Sequence, residues 1–86
     1  MTEEELIATA VLLGVTFHKH FGWSYRLPSG YGNSRRTKYE AARCAFYEAY
    51  SYSEPGFEFL KDPAARDALG IWTRAHGIPT TDGEEA

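Results

Sequence analysis

The sequence predicts a small single α+β domain: a helix, a two- or three-stranded antiparallel sheet, then two further helices. Three observations carry this. Thr2-Glu3-Glu4-Glu5 and Thr37-Lys38-Tyr39-Glu40 both have the capping-box pattern, in which a threonine hydroxyl accepts from the third helical N–H and the glutamate reaches back to the threonine N–H. Between them, residues 15–27 alternate in polarity around Gly22, as a hairpin does. Beyond them, Asp62-Pro63 pairs an acidic cap with a proline at the first helical position, where its missing N–H costs nothing.

The first helix is expected over Glu3–Leu13, with Leu6, Ile7, Ala10 and Val11 at helical spacing and Gly14 suited to the left-handed residue past its end. The same pattern would also allow a longer helix running through Phe17 and Phe21. Val15, Thr16 and Phe17 favour a strand instead, with Val15, Phe17, Lys19 and Phe21 sharing one face and Thr16, His18 and His20 the other. Trp23, Tyr25 and Leu27 alternate along the return strand, and their face should lie on the helices, because an isolated hairpin is not stable in water. Pro28-Ser29-Gly30 reads as a turn, and Tyr31–Ser34 as a short third strand weakened by Gly32.

The central helix, 37–52, places Tyr39, Ala42, Phe46, Ala49 and Tyr50 on one apolar stripe and Glu40, Cys44 and Glu48 opposite. Ser53-Glu54-Pro55-Gly56 stops it. Phe57, Phe59 and Leu60 should bridge back to the core. The last helix buries Ala65, Ala68, Leu69, Trp72 and Ala75, carries Gly70 inside it at a cost of ~1 kcal/mol, and closes at Gly77-Ile78-Pro79. One compact domain is thus expected over 1–79, with a flexible acidic tail over 80–86.

Aromatic residues make up 15% of the chain, so bulky rings must fill much of the core and some should remain outside. No apolar run approaches the ~20 residues of a membrane span, and a single cysteine, Cys44, excludes an internal disulfide. A cytoplasmic protein is the expectation. Charge is unevenly spread. Lys19, Arg26, Arg35, Arg36, Lys38 and Arg43 face only Glu40 in their segment, a balance of +5, whereas the rest of the chain stands at −8 within a net −3.

Chemistry-bearing residues are few. His18 and His20 would share a strand face and, with His76 or a carboxylate, could bind zinc, but no ligand set at a recognisable spacing completes them. Cys44 lies mid-helix, away from the dipole that would activate a thiol, and reads as an inert small side chain. No catalytic residues, metal or cofactor are expected, and the chain reads as non-enzymatic. Arg26, Tyr31, Arg35, Arg36 and Lys38 could cradle a phosphate backbone, giving a nucleic-acid-binding accessory protein as the alternative. The favoured reading is a protein-docking patch of Arg43, Tyr47 and Tyr52 with an acidic rim, since exposed tyrosine and arginine carry much of the energy at interfaces. Surplus apolar surface also makes the chain a candidate homodimer.

Gly22-Trp23-Ser24-Tyr25-Arg26-Leu27-Pro28-Ser29-Gly30, followed by Thr37-Lys38-Tyr39-Glu40-Ala41-Ala42-Arg43, resembles the hairpin-then-helix layout of small phage-encoded accessory proteins of the anti-CRISPR kind. The resemblance implies a non-enzymatic inhibitor or adaptor that occupies a surface of a nucleic-acid-handling host defence complex. It assigns no individual residue a role.

Overall fold

The Thr2 capping box forms in full: Thr2 N–H donates to Glu5 Oε1 at 2.9 Å and Glu5 N–H to Thr2 Oγ1 at 3.1 Å. It starts α1 (Glu3–Leu12) in a computed structural model that describes residues 1–70. Gly14, at φ +100°, ends that helix, and β1 (Thr16–Lys19) begins two residues later, so the longer helix does not form. β2 (Trp23–Arg26) and β3 (Gly32–Arg35) complete an antiparallel sheet in the order β1-β2-β3. Its register runs from Thr16–Arg26–Gly32 at one end to Lys19–Trp23–Arg35 at the other.

Paired residues share a face. Val15, Tyr25 and Leu27 are therefore buried with the partly buried Phe17 and Trp23, as the alternation predicts, while Thr16, His18, Ser24, Arg26, Gly32 and Ser34 face away. Gly32, expected to weaken the third strand, is instead required there. A Cβ at this position would collide with the Tyr25 carbonyl oxygen.

The hydroxyl of Thr37 accepts from Glu40 N–H at 3.1 Å and opens α2 (Lys38–Ser51). This helix lies between α1 and the sheet, so both of its sides are covered. Cys44 and Glu48 are buried, not solvated as their place opposite the stripe implied, and Tyr50 is exposed although the stripe placed it inside. Ala41, Ala42, Ala45 and Ala49, all buried, let both neighbouring layers approach closely around Phe46.

Past α2 the chain reverses through Ser53 (φ +54°) and Gly56 (φ +93°). Phe57 then packs edge-on against Phe46, with centroids 6.0 Å apart, and Leu60 is buried in a 3₁₀ turn (Glu58–Lys61), whereas Phe59 is exposed. Asp62 caps α3 (Pro63–Leu69) by accepting from Ala64 N–H at 3.1 Å. Gly70 is not interior to this helix: at φ +75° it is the left-handed cap, its N–H donating to the Asp67 carbonyl at 2.9 Å. Trp72, Ala75, His76, the Gly77-Ile78-Pro79 close and the 80–86 tail lie outside the described residues. Within them the result is the small α+β domain expected, with one hydrophobic core, and no helix long and apolar enough to cross a membrane.

Candidate functional site

Helical geometry separates the three residues expected to form one docking patch. Arg43 and Tyr47 are four apart and share a side of α2, but Tyr52 is nine positions from Arg43, about half a turn away around the axis. Arg43 is only 9% exposed, not a surface contact. Its guanidinium lies 5.5 Å from the Tyr39 ring centroid, and its Nε and Nη2 meet no hydrogen-bond partner among the described residues. Tyr47 is half-buried. Of the three, Tyr52 alone stands well out, at 61%.

What Tyr52 joins instead is Tyr31, a member of the expected nucleic-acid set. Their rings lie 5.1 Å apart, tilted at 52°, and both are exposed. The seat under this pair is built by a residue that sequence reasoning passed over. Glu54, 4% exposed, accepts from Ser29 N–H at 2.8 Å and from Ser29 Oγ at 2.7 Å. Those bonds tie the turn before Tyr31 to the turn after Tyr52. Leu27 N–H to the Tyr31 carbonyl at 2.7 Å and Gly30 N–H to the Leu27 carbonyl at 2.8 Å close the first of these turns. Read linearly, Ser53-Glu54-Pro55-Gly56 is only a helix stop, and nothing local pairs its acid with a serine 25 residues earlier. On the other side of Glu54, a small cleft of about 70 Å³ is lined by Ala49, Tyr50, Ser53, Phe57 and Lys61.

The sheet–helix seam, from Arg35 at the Trp23 end toward Tyr31, holds a titratable cluster. Arg35 Nε donates to Cys44 Sγ at 2.9 Å and Arg35 Nη1 to the Ser34 carbonyl at 2.7 Å. Burial raises the Cys44 thiol pKa despite the neighbouring arginine, which fits an inert side chain. Burial likewise raises the Glu48 carboxyl, with Arg35 opposing it. The Tyr25 hydroxyl, pushed far up by burial and then by Cys44 and Glu48, has no hydrogen-bond partner among the described residues. Tyr31 is raised too, first by desolvation and then by Glu48 and Tyr52.

The remaining expected phosphate contacts are scattered. Arg26 faces outward at the Tyr31 end of the sheet, three residues of strand, roughly 10 Å, from the Trp23–Arg35 end. Arg35 points the other way, into the seam. Lys38 spreads over the Trp23 ring at 4.8 Å and the Phe17 ring at 5.6 Å, and Lys19 approaches Trp23 at 5.5 Å, so these chains lie across aromatic surface. Arg36 is exposed beside them. His18 and His20 are exposed, and the described residues contain no group of three or more side chains placed to hold a metal.

Phe21 also departs from expectation. β1 ends at Lys19, and Phe21 sits not on its inner face but at the apex of the hairpin, 97% exposed. The loop His20-Phe21-Gly22 carries two successive positive φ angles, +56° at Phe21 and +118° at Gly22, and closes by His20 N–H to the Gly22 carbonyl at 2.9 Å. A phenylalanine in the left-handed region is rare. Only its place directly before a hairpin glycine could have flagged it.

No protein-family model, no characterised protein sequence and no solved structure matches the chain.

Proposed function

We propose that this chain is a non-enzymatic protein-binding inhibitor or adaptor acting in the cytoplasm, of the kind that small phage-encoded accessory proteins supply against a host defence complex. The observation that carries the reading is the Tyr31–Tyr52 pair, two exposed rings from separate elements 5.1 Å apart, whose flanking turns are joined by hydrogen bonds from Ser29 to the buried Glu54. Tyrosine offers a large amphipathic contact with few rotors, and a pre-set pair loses little freedom on binding. Tyr47 and Arg43, on the other side of α2, act in this reading by supporting the helix that presents Tyr52.

The test is affinity capture from host lysate with the wild-type chain, Tyr31→Ala with Tyr52→Ala, and Phe21→Gly. One stoichiometric protein should be recovered by the wild type and by Phe21→Gly, and lost by the double variant. Equal recovery by all three, or recovery of nucleic acid alone, overturns the proposal. A second copy of the chain competes for the same rings, and a light-scattering mass that drops from dimer to monomer in the double variant would assign them to self-association.

A further inference from the structure

At the hairpin apex an exposed ring costs both water ordering and backbone strain. Phe21 is 97% exposed and adopts a φ of +56°, a conformation that glycine would take without penalty. His20 supports it edge-on, with ring centroids 4.7 Å apart at 62°. Gly22 lies so close to the backbone of Arg35 and Arg36 that an added Cβ would stand 2.8 Å from the Arg35 carbonyl oxygen. The apex is therefore seated against the segment that carries the exposed Arg36, with Lys19 at its base and Lys38 over the neighbouring Trp23. Residues 15–39 contain no Asp or Glu at all. A ring on a strained apex with a collar of cations matches a polyanion with exposed flat faces.

We infer that the β1–β2 hairpin tip is a contact for single-stranded nucleic acid, in which Phe21 stacks on a base while Lys19 and Arg36 meet the flanking phosphates. The surroundings separate this from a second protein-docking site. A protein hot spot is ringed by further dry contacts, whereas the Phe21 ring meets His20, the Arg36 backbone lies beside Gly22, and the nearby Trp23 is already covered by Lys19 and Lys38. The outward sheet face, from the tip to the Gly30–Gly32 turn at the far end, is a shallow depression of about 550 Å³ whose lining includes Thr16, His18, Ser24, Arg26 and Ser34. Hydroxyls, imidazole and guanidinium suit phosphate and sugar oxygens. They also argue against a lipid surface, where several apolar groups insert together. Stacking tolerates any sequence, because every base has a π-face. This site is distinct from the Tyr31–Tyr52 pair and does not rest on it.

Fluorescence anisotropy of a labelled oligothymidylate of roughly 20 nucleotides, titrated with the full chain at about 50 mM salt, tests the inference. Binding should weaken as salt rises. Phe21→Gly should bind roughly 5- to 150-fold more weakly, the range expected for one base–aromatic stack. That substitution also relieves the left-handed strain, so its thermal midpoint should hold or rise, and lost binding is then not lost folding. Phe21→Tyr, which keeps the ring, should retain binding. Arg36→Ala should lower the slope of log affinity against log salt by about 0.7, one single-strand phosphate contact. Tyr31→Ala with Tyr52→Ala should leave this binding unchanged, so the tip and the tyrosine pair fail separately. No binding to the oligonucleotide, equal binding by wild type and Phe21→Gly, or Phe21-dependent capture on anionic phospholipid vesicles without oligonucleotide binding would each overturn the inference.

Discussion

At the N-terminal end of α2, Phe21 projects from a hairpin tip whose segment carries Lys19, Arg36 and Lys38 and no acid; at its C-terminal end, about 21 Å along the axis, Tyr31 and Tyr52 project over the buried Glu54, with Arg26 at the same end of the sheet. Both ends hold rings out of the core, and they do so by different physics. At the tip a backbone with two successive positive φ angles, closed by the His20 N–H to Gly22 carbonyl bond, does the holding. At the far end a nearly buried carboxylate holds two turns together through two short hydrogen bonds. The acid-free tip segment and the carboxylate-seated tyrosine pair then suit the two ends to different partners. The lesson is that ring surplus in a small domain is one compositional signal with two structural outcomes.

Substitutions can separate these outcomes. Phe46→Ala removes the largest fully buried side chain, in the middle of the helix both ends share, and should cost about 3–5 kcal/mol in urea unfolding while disordering both. Glu54→Ala should cost about 2–3 kcal/mol, since it leaves a backbone N–H and a hydroxyl without their charged acceptor. Its damage should stay local, with amide shifts over residues 28–31 and 52–57 and none at the hairpin tip. Phe21→Gly should act in reverse, raising stability by about 1 kcal/mol through the strain it releases, with no effect on the Tyr31–Tyr52 pair. Tyr25→Phe should also be neutral or stabilising by up to about 1 kcal/mol, because the hydroxyl it deletes is buried without a partner among the described residues.

The smallest effect is the pH dependence of Glu48, whose carboxyl is raised by burial. Below the ordinary carboxylate range it is protonated in both folded and unfolded chains. Between that range and its raised folded value the native state holds the extra proton, so stability falls as pH rises through the window and the loss is complete above it. Glu48→Gln should flatten this slope in thermal midpoints measured from pH 4 to 7. Phe21→Gly should leave it intact.

Much of the architecture is legible in the sequence because it is written locally. Thr2, Thr37 and Asp62 cap helices through atoms two or three residues away, and the Trp23/Tyr25/Leu27 alternation needs only the period of a strand. What escapes is non-local. Whether Cys44 and Glu48 meet water depends on α2 being covered on both sides, which no periodicity within the helix can report. Arg43 and Tyr52 both read as interface-type surface residues until helical rotation places them half a turn apart. Gly70 carries the same letter whether it interrupts a helix or caps it, and the apolar Trp72 beyond it continues the helical spacing in the sequence. The period of β1, extended to Phe21, runs past the point where the hairpin turns. Each miss concerns a residue whose role is decided by a partner far along the chain or by a positive φ.

The stacking of Lys19 and Lys38 on Trp23 gives the tip an optical gauge of its own. An indole with two ammonium groups at 5.5 and 4.8 Å sits in a strong local field, and any anion that draws those groups off the ring changes that field. In a Trp72→Phe chain, which keeps a single indole, emission would therefore register occupancy of the hairpin end without any attached dye. It would stay silent when a ligand settles on the tyrosines at the other end.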